Sequence, residues 1–393
     1  MSAREVFIVG SARTPIGAFQ GALSAATAPE LGAVAIRSAL ERAGVGPELV
    51  DETYMGNVLT SGIGQAPARQ AAKKAGVLDK TPATTVGKVC GSGMMSIILG
   101  AKSILLADAE IVVAGGMESM SQAPYLLPKA RDGYRLGNGT VVDSMVHDGL
   151  WDPYGDKHMG NCGETCAKEF GFTREAQDEF AVESYKRAQA AVAEGKLATE
   201  IAPVTIKGRK GDTVVSEDEE PGRARFDKML TLRSAFEKDG TITAANASKL
   251  DDGAAALILA SGEAVEKHGL TPIAKLVGYA GHAQEPEWFT TAPVGAVENV
   301  LKKTGLSVDD IDLFEVNEAF AVVSMACIEK AAVPHSKMNV WGGAISLGHP
   351  IGCSGARIVV TLLHALQDRD EKRGLATLCI GGGEALAVVV ERV

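Results

Sequence analysis

Four short stretches set reactive side chains among residues chosen for their backbones. "GGAISLGHPIGCSGAR" (342–357) places five glycines and a proline around His349. Glycine lets main chain approach a ligand closely and proline fixes a turn, so the stretch reads as a shaped surface around one imidazole. "VGKVCGSGM" puts Cys90 where a strand-like run hands over to a helical one. A thiol at a helix start feels free N–H groups and the positive end of the helix dipole, which predicts a lowered pKa and a prepared nucleophile. "ATLCIGGGEAL" ends a strand-like run at Cys379, ahead of Gly381, Gly382 and Gly383, whose N–H groups are free to face an oxyanion. "EVNEAFA" sets Asn317 and Glu318 at another strand-to-helix turn. Taken singly, each has a plain structural use, because buried cysteines are common, Asn caps helices and histidines serve in loops. Together, two thiols, an imidazole and an amide at strand ends describe a Cys–His acyl-transfer site, since ligands of α/β sheets collect at such ends.

The elements that must position these groups follow from hydrophobic periodicity. From residue 5 to about 118, strand-like runs such as "EVFIVG", "ETYMGNVL", "ATTVGKV" and "EIVVAGG" alternate with helical ones. That alternation predicts a largely parallel, buried sheet. From about 119 to 250 the texture changes to loops rich in Pro, Gly and Asp, with one helix in "TREAQDEFAVESYKRAQAAVAEG" and an acidic run "SEDEEPGR" that reads as solvated. Alternation then resumes to the C-terminus. "CGSGMMSIILGAKSILLA" and "CSGARIVVTLLHAL" each put Cys, Ser and Gly at the head of a long helix, as if one unit were written twice. The expected fold is α/β, from duplicated βαβαβαββ units, with two mixed sheets, helices between them and an inserted loop domain. The expected boundaries are 1–119, 120–250 and 251–393, with His349 facing the first half.

Bulk properties exclude several classes. With 46% hydrophobic and 22% charged residues the composition is globular, and 393 residues suffice for two or three compact units. A formal net charge of -10 argues against nucleic-acid or anionic-membrane binding through bulk charge. The six cysteines have neither the density of a disulfide scaffold nor paired C-x-x-C zinc spacing. No apolar run is long enough to span a bilayer, and no signal segment is evident, so the expectation is a soluble cytoplasmic protein. No G-x-G-x-x-G or P-loop appears.

The four stretches, with "ARTPIGAFQG", "AGGMESMS", "HMGNCGE" and "GTITAANASKLDDGAA", are similar to the thiolase family over nearly the whole chain. The "HMG", "ANAS" and "RARFDK" segments most resemble its short-chain acetoacetyl-CoA branch. The resemblance implies reversible Claisen condensation of two acetyl-CoA molecules. It makes Cys90 the acyl-accepting nucleophile, His349 its base, and Cys379 the group that exchanges protons with the second substrate. Asn317, through a water, and His349 would stabilise the enolate; the N–H groups of Cys90 and Gly381 would hold the other oxyanion. Coenzyme A falls to Tyr185, Arg223, Lys228 and Ser248, with His158 and Met159 near its acyl end. Arg225 departs from the Asp found there in potassium-responsive relatives. Positions Tyr185, Ala244, Ala245, Ala247 and Ile345 match those holding a potassium ion in them. Coenzyme A and acetyl-CoA are expected as substrates, with no permanently bound cofactor, and a homodimer or homotetramer as the assembly. Two alternatives stay open: a broad-specificity degradative 3-ketoacyl-CoA thiolase, and a catalytically silent acyl-CoA carrier.

Overall fold

Runs of small and β-branched residues form the frame on which the reactive loops hang. In the computed structural model, which describes residues 4–393, they fold into two copies of one pattern. The first three residues of the expected N-terminal half lie outside the described residues. The first copy runs β1 (Val6–Arg13), α1 (Ala28–Ala43), β2 (Glu52–Gly56), α2 (Pro67–Ala75), β3 (Ala83–Val86), α3 (Ser92–Leu105) and β4 (Ile111–Ser119). After a long excursion carrying α4 (Met159–Phe170) and α5 (Arg174–Ala193), it closes with β5 (Asp251–Ser261). The second copy runs β6 (Ala274–Ala283), α6 (Ala292–Thr304), β7 (Leu313–Val316), α7 (Ala321–Lys330), α8 (Ile351–Asp368), β8 (Arg373–Ile380) and β9 (Glu384–Arg392).

Strand order shows the duplication directly. The first half pairs in the order β1, β5, β4, β2, β3 and the second in the order β6, β9, β8, β7. The place of a fifth strand in the second half is held by a single bridge, Phe314 to Met338. The two expected sheets are joined: β1 pairs with β6 at Phe7–Lys275 and Ile8–Ala274, so hydrogen bonding runs through one ten-stranded sheet that also takes in Gly17–Ala18. Joining two half-sheets this way removes two open edges.

Helices α3 and α8 lie between the half-sheets, α3 on β2 and β4, and α8 on β4 and β5 on one side and β7 and β8 on the other. Their heads approach so closely that a Cβ at Gly93 would stand 2.7 Å from Ala356 N, and one at Gly355 2.5 Å from Met94 N. Only glycine fits at that crossing. Helices α1 and α2 cover the outer face of the first half, and α6 that of the second.

The acidic run differs from its expected solvated state. Asp218 accepts from Arg13 Nη1 and Nη2 at 2.7 and 2.8 Å and from Ile16 N at 2.8 Å, while Glu200 accepts from Arg13 Nε at 2.6 Å. Glu219 takes the N–H groups of Ala18 and Ala22. The reason is Arg13, fully buried at the end of β1, whose charge must be paired once it leaves water. Replacing Arg13 with Met strands two buried carboxylates, so the urea midpoint should fall by the equivalent of about 3–5 kcal/mol. A loss below ~1 kcal/mol, the range of ordinary surface changes, would contradict this role for the acidic run.

Candidate active site

The reactive groups sit at strand ends and on loops, and buried acids hold the loop that carries His349. Cys90 lies just before α3, in a tight turn where Lys88 and Cys90 bridge across Val89, whose φ is 44°. Cys379 is the penultimate residue of β8, Asn317 follows β7, and His349 lies between a one-turn helix (Ala344–Leu347) and α8. The N–H of Gly381 meets the Cys90 thiol, and Cys90 packs against a buried cluster that contains Ile351, two residues past His349. Asn317 Nδ2 lies 3.5 Å from His349 Nε2, a long contact. Cys379 is close enough to Cys90 for their charges to interact, and it shares an apolar cluster with Met159, Ala319, Phe320 and Phe289. The chain thus brings all four residues, and Gly381, to one place.

The hydrogen bonds define the state of His349. Ser354 Oγ donates to Pro350 O at 3.0 Å and stands 2.6 Å from His349 Nδ1. Having given its one proton away, Ser354 accepts from Nδ1–H, which leaves the Nε2 lone pair toward Asn317 and the site. The backbone is held separately: His349 N donates to Asp251 Oδ2 at 2.8 Å. Gly348 has φ +110°, and a Cβ there would stand 2.6 Å from Asp251 Cγ, so glycine is required for that approach.

Two further carboxylates, which the sequence reading left without a role, do similar work. Glu118 at the end of β4 accepts from Asn57 Nδ2, Val58 N, Leu59 N and, across the molecule, Gly352 N in the first turn of α8. Glu318 accepts from Ser184 Oγ, Asn339 Nδ2 and Ile345 N. The only sequence signal was a charge embedded in an otherwise small or apolar run, as in "AGGMES" and "EVNEAF".

Burial sets the protonation of the reactive groups. It pushes the Cys90 thiol up to about 11, with the N–H groups of Gly381 and Cys90 itself pulling the other way. The expected lowered thiol pKa is therefore not found: Cys90 precedes the helix, and desolvation of a charge outweighs two N–H contacts. Burial also drives Cys379 well above the usual thiol range, the neighbouring Cys90 adding to it. It pushes His349 down to about 3, with Arg357 contributing. All three shifts favour the uncharged form.

The residues expected at coenzyme A lie in two groups. Tyr185, Arg223 and Lys228 line one cavity of about 390 Å³ together with Arg225, Ala244, Ala245 and Lys249. Arg223 is exposed and 3.6 Å from Glu220. Met159 lies against Gly381, and His158 caps α4 through Nδ1, which accepts from Gly160 N at 3.0 Å, while stacking on Phe236. Ser248, half-buried, donates its N–H to Ala319 O at 3.0 Å, tying its loop to the one carrying Asn317. The five positions matched to a cation do not fit a potassium ion. Lys249 Nζ donates to Ala247 O at 2.7 Å and reaches Ile345 O at 3.4 Å, so an ammonium already stands on those carbonyls. Among the described residues, no group of three or more His, Cys, Asp or Glu could hold a metal ion, and no helix is long and apolar enough to cross a membrane.

Known proteins match nearly the whole chain. The family description "Thiolase, N-terminal domain" matches residues 6–263, and "Thiolase, C-terminal domain" matches residues 270–392. The chain is similar to an acetyl-CoA acetyltransferase of Cupriavidus necator, 53% identical over 390 residues and covering 99% of each chain. Among solved structures it is similar to the Acat5 thiolase of Ascaris suum in complex with coenzyme A, at 43% identity and TM-score 0.94, covering 99% of this chain and 100% of that one. It is also similar to an acetyl-CoA acetyltransferase of Bacillus anthracis, at 40% identity and TM-score 0.97, covering 100% and 99%.

The resting protonation state is open to direct test. The ultraviolet thiolate absorbance that distinguishes the unmodified protein from Cys90→Ala should be absent at neutral pH and grow only as pH nears about 11. A thiolate signal already present in slightly acidic buffer would mean a preformed thiolate–imidazolium pair instead.

Proposed function

The chain belongs to the thiolase family of acyltransferases, and from that premise we propose that it is an acetyl-CoA C-acetyltransferase. It condenses two acetyl-CoA to acetoacetyl-CoA and coenzyme A, and runs the thiolysis in reverse. The observation that carries the reading is the meeting of the Cys90 thiol with the Gly381 N–H beside Cys379, while His349 offers a bare Nε2.

His349 Nε2 accepts the proton of Cys90 as sulfur attacks the thioester carbonyl. Charge on the carbonyl oxygen is met by the N–H groups of Cys90 and Gly381, preorganised where water is scarce. The C–S bond to coenzyme A breaks, and coenzyme A leaves as its thiol with a proton from Cys379. The resulting Cys379 thiolate then removes a proton from the methyl group of the second acetyl-CoA. The enolate oxygen is held by protonated His349 Nε2 and by a water on Asn317. Asn317 Oδ1, buried and without a protein partner, is suited to accept from that water. Attack of the carbanion on acetyl-Cys90 forms the new C–C bond, releases the Cys90 sulfur and returns the proton from His349.

Arg223, Arg225 and Lys228 give an otherwise acidic protein a local basic cluster suited to the phosphates of coenzyme A, with Tyr185 and Ser248 along its length and His158 and Met159 at its acyl end. We assign residues 1–119 together with β5 (Asp251–Ser261) to one catalytic half, 262–393 to the other and 120–250 to the loop domain that binds coenzyme A; the expected boundary at 251 falls one strand early, because β5 pairs with β1 and β4. Exposed Tyr125, Leu127, Leu136 and Val141 support self-association, as a dimer or tetramer in the cytoplasm.

Two measurements bear on these roles. Serine is a far weaker acid than cysteine, so Cys379→Ser should slow deuterium entry into the acetyl methyl group in heavy water by about 10²–10⁴-fold while still exchanging acetyl groups between thiols. Deuterium entry as fast as in the unmodified protein would remove Cys379 from the proton-transfer step. Arg223→Ala and Lys228→Ala should each raise KM for coenzyme A by about 10–100-fold with kcat nearly kept. An unchanged KM would place the phosphates elsewhere. Thiolysis of a long-chain 3-ketoacyl-CoA as fast as that of acetoacetyl-CoA would favour a broad-specificity degradative enzyme.

A further inference from the structure

Lys249 reaches from the cavity toward the catalytic loop. It stands in "NASKLDDG", one residue after Ser248 and two before Asp251. Its stem is half-buried, and both acceptors of its ammonium, Ala247 O and Ile345 O, are main-chain carbonyls. Nζ also lies 5.7 Å from the centre of the Tyr185 ring. Burial pulls the Lys249 ammonium down to about 8, and Glu220, Asp251 and Glu318 act against that pull to favour its charged form. Carbonyl oxygens, an aromatic face and a diffuse negative field are what a weakly hydrated monovalent cation seeks.

The two carbonyls belong to different loops. Ala247 is in the loop that carries Ser248 and runs into Asp251, which holds the His349 N–H. Ile345 is four residues before His349, in the one-turn helix whose Ile345 N–H is held by Glu318. Bridging them locks the candidate coenzyme A loop to the imidazole loop. A potassium ion would have to displace Lys249 from the same oxygens.

We propose that Lys249 is a tethered cation, a positioning residue that does the work of a free monovalent ion and makes the enzyme independent of potassium. The proposal rests on the thiolase reading above, and its test separates the two. Acetoacetyl-CoA thiolysis is followed in potassium, sodium and choline chloride at one ionic strength. The unmodified enzyme should show rates within about twofold of one another, below the roughly fivefold effect of even a weak coupling. Lys249→Ala should raise KM for coenzyme A by about tenfold or more with a smaller change in kcat, and potassium or methylammonium, but not choline, should restore it severalfold. Lys249→Arg should keep part of the low KM. The melting temperature should rise with potassium in Lys249→Ala and stay fixed in the unmodified protein, since only the variant offers vacant carbonyls. Severalfold potassium stimulation of the unmodified enzyme, or a Lys249→Ala variant with unaltered KM and no response to added cations, would overturn the proposal. Should Lys249→Ala fail to fold, the cation series on the unmodified enzyme and the KM of Lys249→Arg decide alone. Absence of any thiolysis would instead remove the functional reading, and the melting comparison would still judge Lys249.

Discussion

The Glu118 carboxylate, placed where two half-domains meet, is the contact on which the catalytic arrangement depends. It gathers three donors from the turn after β2 and one, Gly352 N, from the head of α8. A buried carboxylate left short of donors is costly, so the four bonds act as a constraint: α8 cannot shift along β4 without stranding charge. The glycine crossing of α3 and α8 removes the remaining freedom, because neither helix has a side chain there to repack. Cys90 precedes one of these helices and His349 the other. Their relation is therefore set by backbone packing and not by any contact between the two side chains.

The same device recurs twice along the segment that carries His349. Asp251 holds the His349 N–H, and Glu318 holds the Ile345 N–H together with Ser184 and Asn339. These acids give their oxygens to main-chain N–H groups, and burial pushes them up as it does the thiols, Glu118 to about 7, while it lowers the imidazole. A neutral resting site suits an enzyme whose two thioesters are themselves uncharged at the reacting carbon. Charge develops only as the reaction proceeds, and N–H groups already aimed at the thiol need no rearrangement to receive it.

The duplication and helix α5 were legible because buried strands and amphipathic helices write their periods into the chain, whereas strand pairing was not: the expected largely parallel sheet has β5, from far along the chain, running antiparallel between β1 and β4. Cys90, Asn317, His349 and Cys379 were legible through motif resemblance, each at the strand end where the alternation predicted it. What local sequence could not convey is the balance between opposing effects. A Cys beside a helix start suggested an acidic thiol, but the amount of desolvation is a property of the packed whole. "SEDEEPGR" looked solvated, and only the burial of Arg13, far away in sequence, draws Asp218 inward. "NASKLDDG" was read for its Ala and Ser positions, while the folded chain turns the intervening Lys249 back onto the Ala247 carbonyl. In each case the missing information was long-range.

On the proposed mechanism a neutral Cys90, and not Cys379, carries the acyl group between two coenzyme A molecules. Acid quenching of the enzyme after brief mixing with acetyl-CoA, followed by intact mass measurement and peptide mapping, tests it most directly. The account predicts one added acetyl group per chain, on the peptide containing Cys90 and lost when coenzyme A is supplied. An acetyl group on Cys379, or undiminished acetylation of a Cys90→Ala chain, would contradict it.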